Sequence, residues 1–165
     1  MDQKLLSELN QFVGKAALAT YAGGGGETKP QRLGFRELEF AEGDWSYRDS
    51  YAGFFRSWGQ EVVWHSGKPF WNQIYGGGMS DAHLGDEKFA LETFTFLKKA
   101  LSAGEKKGSF QPRGPNDFTD GDWQYSCVWS GEIADFQGDE KILHNGECVF
   151  THNFKGGLIL AQENS

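Results

Sequence analysis

The sequence has only two cysteines in 165 residues, Cys127 and Cys148. Two thiols cannot form the disulfide framework that staples small secreted domains. Long apolar runs are missing as well: no stretch approaches the ~18 consecutive apolar residues of a membrane span, and no basic segment followed by an apolar run opens the chain. A cytoplasmic location without a membrane partner is therefore expected. Cations are in deficit, with 16 Lys and Arg against 23 Asp and Glu and a net charge of −7. No local Lys/Arg cluster offsets this, and an acidic surface repels phosphate backbones, so no direct nucleic-acid binding is expected. The glycine runs 23–26 and 76–78 lack the lysine and following helix of a phosphate-binding loop. Neither a nucleophile elbow nor a cysteine-pair zinc spacing occurs, so no metal and no cofactor are expected.

Aromatic side chains, by contrast, make up 15% of the chain. They concentrate between Trp45 and Trp71, together with Arg48, Asp49, Gln60, Glu61 and His65. The length fits one domain, 1–165, able to bury a core without staples. Residues 2–19 predict an amphipathic helix, with Leu5, Leu9, Phe12, Val13 and Ala16 on one stripe. The glycine-rich stretch 20–30 reads as a mobile loop that packs nothing. From Arg32 the period becomes strand-like. Strands are expected up to Phe40, from Trp45 to Tyr51, from Gln60 to His65 and from Lys68 to Tyr75. Gly43 and Ser66-Gly67 mark hairpins, residues 53–59 a looped corner, and Gly76-Gly77-Gly78 the end of the fourth strand. A second helix is predicted over 81–103, capped by Asp81 or Asp86 and stopped by Gly104.

The second half repeats the first. EGDWSY (42–47) returns as DGDWQY (120–125), and GQEVVWHSGKPFW (59–71) as GDEKILHNGECVF (138–150). Gly59, Glu61, His65 and Gly67 are identical to Gly138, Glu140, His144 and Gly146. Tyr75-Gly76-Gly77-Gly78 corresponds to Phe154-Lys155-Gly156-Gly157. The fold class implied is α+β: an internal duplication of a helix plus four antiparallel strands, with halves of about 1–79 and 81–160. A pseudo-twofold continuous sheet and a barrel-like closure both satisfy this pattern.

One copy helps to interpret the other. Trp45, Tyr47, Asp49 and Tyr51 share a strand face. Their counterparts are Trp123, Tyr125, Cys127 and Trp129, so Asp49 stands where the other half has a cysteine. A carboxylate in an aromatic row must be paired, hydrogen-bonded or hydrated. A tyrosine hydroxyl, Arg48, Arg113 and His65 are its candidate partners. Arg48 lies on the opposite face with Ser46 and Ser50, which reads as solvated. The conserved spacing of Glu61 and His65 admits two readings. One is structural, with the glutamate accepting corner-loop amides and the imidazole bonding a turn carbonyl; the other is a symmetric paired site. Cys127 and Cys148 fall on strands that flank a third, about 9–10 Å apart, beyond disulfide reach. Arg32 and Arg113 each open a first strand, and Arg113 sits in the stiff PRGP turn.

TYA (20–22), YRDSYAG (47–53), GQEVVW (59–64), KPFW (68–71), FLKKAL (96–101), PRGP (112–115), GDWQY (121–125) and FQGDEKI (136–142) together resemble an uncharacterised bacterial family, catalogued as a domain of unknown function. The resemblance spans about residues 15 to 160. In many members this domain follows an Xre-type helix-turn-helix in proteins labelled transcriptional regulators. The residues ahead of the resemblance are too few for such a head here, so the domain is expected to stand without its own DNA-binding segment. Gln73-Ile74-Tyr75 stands where Met-Asn-Tyr is frequent in similar sequences.

The resemblance implies an effector module with a pocket for a small-molecule ligand, and an aromatic pocket with a carboxylate suits cationic or aromatic ligands. The expected ligand-binding residues are Tyr47, Asp49, Tyr51, Glu61, Trp64, Trp71, Tyr75 and Arg113. One alternative is a hydrolase- or isomerase-like enzyme using Asp49, Glu61 and His65. Another is a protein-interaction module that forms a homodimer through a free sheet edge.

Overall fold

A computed structural model describes residues 2–104 and 109–160. Helix α1 (Gln3–Ala19) leads into strands β1 (Arg36–Glu42), β2 (Trp45–Gly53), β3 (Arg56–His65) and β4 (Lys68–Met79). Helix α2 (Glu87–Gly104) then leads into β5 (Asp117–Asp120), β6 (Trp123–Glu132), β7 (Asp135–His144) and β8 (Glu147–Leu158). The fold is therefore α+β, with each helix followed by four antiparallel strands. The strands form one sheet in the order β1-β2-β3-β4-β8-β7-β6-β5. Among the described residues β1 and β5 do not pair with each other, so the sheet is open and continuous rather than a closed barrel.

The halves join edge to edge through β4 and β8. Tyr75 and Phe154, cognate positions of the repeat, are direct partners across this seam. A twofold relation between halves places a residue opposite its own counterpart only on the symmetry axis, so the pseudo-axis passes through this pair.

Each helix covers its own half of one sheet face. Asp2 caps α1, its carboxylate accepting the Lys4 amide at 2.9 Å, and Leu9, Phe12 and Ala16 are buried beneath it. Phe12 stacks on Trp45 and tilts against Phe40 at 5.7 and 5.6 Å between ring centres. Phe96 of α2 repeats both contacts with Trp123 and Phe118, at 5.4 and 5.7 Å. The duplication thus extends to helix packing, where the sequences no longer match. Helix α2 starts at Glu87 rather than near 81. Asp86 caps it by accepting the Phe89 amide at 3.0 Å, while Asp81 opens a separate 3-10 turn.

Three loop expectations change. The corner between β2 and β3 contains only Phe54 and Phe55, because Gly53 (φ 111) reverses the chain within the hairpin. The triple glycine does not end β4, which continues to Met79. Glycine is needed there for close approach: a Cβ on Gly76 would lie 2.0 Å from the Trp58 ring, and one on Gly77 2.2 Å from the Thr151 carbonyl oxygen. The glycines after α1 are also packed in part, since a Cβ on Gly23 or Gly25 would strike the backbone of α1, and the Gly25 amide bonds the Thr20 carbonyl at 2.7 Å. Both cysteines are free; Cys127 is buried and Cys148 exposed.

Gly77 also has φ 137, outside the range comfortable for other residues. Gly77→Ala should therefore destabilise the protein by roughly 1–3 kcal/mol in denaturant unfolding. A change below a few tenths of that would show that the seam backbone accommodates a side chain.

Candidate functional site

The helix-covered sheet face alternates in register, so four rows of side chains meet near the seam. Opposed positions bring Asp49 beside Glu61, Glu61 beside Gln73, and Glu140 beside both Cys127 and His152. Strand pairing alone would leave these carboxyls in two groups. Arg113, delivered by the stiff turn before β5, joins them. Its Nη1 lies 3.1 Å from Glu61 Oε1, and its Nε and Nη2 lie 3.1 and 3.0 Å from Glu140 Oε1. The guanidinium carbon stands 4.7 Å from the centre of the Tyr75 ring on the pseudo-axis. The Tyr75 hydroxyl donates to Asp49 at 2.9 Å.

The two glutamates are cognate but not equivalent. Glu140 receives Arg113, the Tyr125 hydroxyl at 2.7 Å and His152 Nδ1 at 3.0 Å. Burial pushes its pKa up, but Arg113, His152 and Tyr125 outweigh this and hold it at about 2. Glu61 has Arg113 and the Tyr47 hydroxyl, beside Asp49. Burial dominates here and raises its pKa to about 8. The contrast has a simple cause: one guanidinium faces two buried carboxyls, and the one with more donors keeps the charge. Burial likewise raises Asp49 to about 6, with Tyr75 and Arg113 opposing. Burial works against the charge on Arg113 too, but Glu140 and Glu61 keep it protonated. His152 is pushed down, first by burial and also by Arg113, so its imidazole is neutral; Nδ1–H donates to Glu140 and Nε2 carries a lone pair.

A cavity of about 310 Å³ opens onto this cluster between the helices and the sheet. It brings together six of the sequence-expected residues: Tyr47, Asp49, Tyr51, Glu61, Tyr75 and Arg113. Two others lie elsewhere. Trp71 is fully buried in the core, stacked on Phe136, with its indole N–H bonded to the Ile133 carbonyl at 2.9 Å. Trp64 pairs opposite Ser46, on the outer sheet face, beside a register shift between Val63 and Trp64. His65 also stays away: it packs on Trp45 at 4.2 Å, as His144 packs on Trp123 at 4.2 Å, so ring stacking replaces the expected turn-carbonyl bond. The glutamates bond Arg113 rather than corner-loop amides.

The outer face around Arg48 is not simply solvated. Arg48 bridges Glu37 and Glu39, and Ser50 donates to Glu37 at 3.0 Å. Glu37 is 1% exposed. Burial would raise its pKa, but the amides of Gln31 and Arg32, with Arg48 and Ser50, hold it below the usual value. Arg32, the sequence counterpart of Arg113, bonds Gln60 at 2.8 Å in an exposed pair and takes no part in the buried cluster.

Residues not anticipated from the sequence include His152, Gln111 and Tyr21, all lining the cavity. His152 had a usable signal. The offset that aligns Tyr75 with Phe154 also aligns Gln73 with His152, a polar pair at a position facing the core. Gln73 is fully buried, and among the described residues neither end of its amide has a partner. Among the described residues no group of three His, Cys, Asp or Glu side chains could hold a metal ion.

The sign of the pH response follows from these shifts. Folding raises the Glu61 pKa from the ordinary 4.5 to about 8. The folded protein thus holds this proton more tightly than the unfolded chain, and the group erodes stability as pH rises through that window. Glu140 acts oppositely: its stabilisation is present above its ordinary value and is lost as pH falls through about 2. Glu61→Gln should match the native Tm near pH ~5 and exceed it near pH ~8.5. A larger loss at the higher pH would mean that Glu61 is ionised and stabilised by Arg113.

Comparison with curated proteins and comparison with solved structures return no match to this chain. The family match is narrower than the resemblance in the sequence, beginning at Asp49 and leaving α1, β1 and the start of β2 outside it. It runs over residues 49–159 and so covers all four clustered carboxyl and guanidinium groups: Asp49, Glu61, Arg113 and Glu140. The chain belongs to DUF5680, a family described as a domain of unknown function.

Proposed function

We propose that this domain binds a small molecule in the cavity between its helices and its sheet. The observation that carries this reading is the cavity itself, about 310 Å³, with Asp49, Glu61, Arg113 and His152 in its wall. A polar cluster at the end of an aromatic-lined cleft is how ligand sites orient a bound molecule. The resemblance to effector modules behind helix-turn-helix segments supports a sensing role, and a cytoplasmic setting accords with it.

The enzyme alternative drawn from Asp49, Glu61 and His65 does not have its imidazole in place, because His65 is stacked on Trp45 away from the cavity. His152 is there instead, but burial, with Arg113 nearby, outweighs Glu140 and holds its basicity down. The alternative of dimerisation through a free edge has little edge to use. Strand β5 has four residues with aspartate at both ends, and β1 is bridged by Thr28 to Glu37. Short, charged or covered edges resist pairing.

A thermal-shift screen of metabolites tests the binding reading. Ligands should raise the Tm of the native protein, and Asp49→Asn, folded as judged by circular dichroism, should lose most of that shift. Filling the cavity with Ala17→Phe should abolish it. Shifts that survive Ala17→Phe would place binding elsewhere and refute the reading.

A further inference from the structure

We infer that the ligand carries one ammonium or amidinium head on an apolar body, with the head seated against Asp49, Glu61 and Nε2 of His152. This deepens the binding reading above and rests on it.

The first observation is a count of charges at the buried end. Asp49, Glu61 and Glu140 are at most 9% exposed and, among the described residues, share a single cation, Arg113. Arg113 is already committed to both glutamates and covered on one face by the Tyr75 ring. The buried end therefore has more carboxyl groups than its own cation can balance, and a ligand cation would supply the difference.

The second observation is independent of charge. His152 is 4% exposed and lines the cavity, and its Nε2 is buried without a partner among the described residues. Glu140 takes the Nδ1–H, so the free nitrogen is an acceptor. A buried acceptor without a donor is unfavourable, and an incoming N–H removes that cost. Gln111 Oε1, from a residue that also lines the cavity, is a second buried acceptor without a partner among the described residues. An ammonium or amidinium brings several N–H donors and no acceptor, which fits this set. A carboxylate or phosphate would bring only acceptors to His152 Nε2 and Gln111 Oε1.

The remaining wall fixes the rest of the molecule. Tyr21, Tyr51, Phe54, Phe94 and Phe150 offer an aromatic passage suited to an aryl or alkyl chain. Lys98 also lines the cavity, with its ammonium 4.9 Å from the Tyr21 ring centre. A second cation at the outer end of the ligand would meet it, so monoamines are favoured over diamines.

The test uses four probes on the full chain by calorimetric titration: phenethylamine, phenethyl alcohol, 3-phenylpropionate and 1,4-diaminobutane. Phenethylamine should bind at least about tenfold more tightly than each of the others, a difference of about 1.4 kcal/mol. Asp49→Asn should reduce its affinity by about the same factor. In the native protein, the 15N resonance of His152 Nε2 should move on adding the amine, a readout that needs no variant. If the alcohol or the carboxylate binds as tightly as the amine and Ala17→Phe removes that binding, the ammonium head is wrong while the cavity remains a binding site. If the amine binds and leaves His152 Nε2 unmoved, the placement is wrong. If none of the four binds, the inference is overturned, and the metabolite screen with Ala17→Phe separately decides the binding reading.

Discussion

The structure depends on one buried guanidinium. Arg113 reaches the seam between two copies of the same unit and touches the cognate glutamate of each, Glu61 and Glu140. Removing one partner of such a buried set typically costs about 3–5 kcal/mol, because the carboxylates left behind are uncompensated. This single contact links the turn before β5 to β3 and β7, and it sets which carboxyl carries charge. Where the protein holds its protons follows from the unequal number of donors around two otherwise matched side chains.

Duplication explains why such a site exists and why it is lopsided. Two identical units meeting at a twofold seam would give two arginines, two glutamates and matching neighbours. Here the symmetry is kept in the scaffold: Trp45 and Trp123, Phe12 and Phe96, Gly59 and Gly138 do the same jobs in each half. It is broken in the cluster. Arg32 turns to the outer face while Arg113 turns inward, Asp49 stands where the other half has Cys127, and Gln73 where it has His152. Folding requires the first set to stay alike. The second set gives the cavity one particular arrangement of donors and acceptors.

The sequence made the duplication and the strand order within each half legible, because period-two patterning and repeated hairpin signals act locally; it named six residues that line the cavity without showing that they meet. Gly43, Ser66-Gly67 and their counterparts have the positive φ angles such turns need. The failures are non-local. Trp71 looked like a ligand contact because aromatics and charges alternate around it, but Phe136 and the Ile133 carbonyl, from the other half of the sheet, bury it on the face that it shares with Tyr75. The triple glycine suggests a stop only until Trp58 and β8 are known to press against it. Glu61 could not be assigned to Arg113 from spacing, since 52 residues separate them. Arg48 seemed solvated because the segment around Gln31 and Arg32, which covers Glu37, has no periodic signature.

The central claim, that one buried cation leaves two cognate glutamates in different protonation states, is open to direct measurement. Side-chain carboxyl 13C shifts of Glu61 and Glu140 can be followed by NMR across pH, assigned with Glu61→Gln. The account predicts that Glu140 titrates near 2 and Glu61 near 8. Two glutamates titrating together, both below the ordinary glutamate value of 4.5, would contradict it.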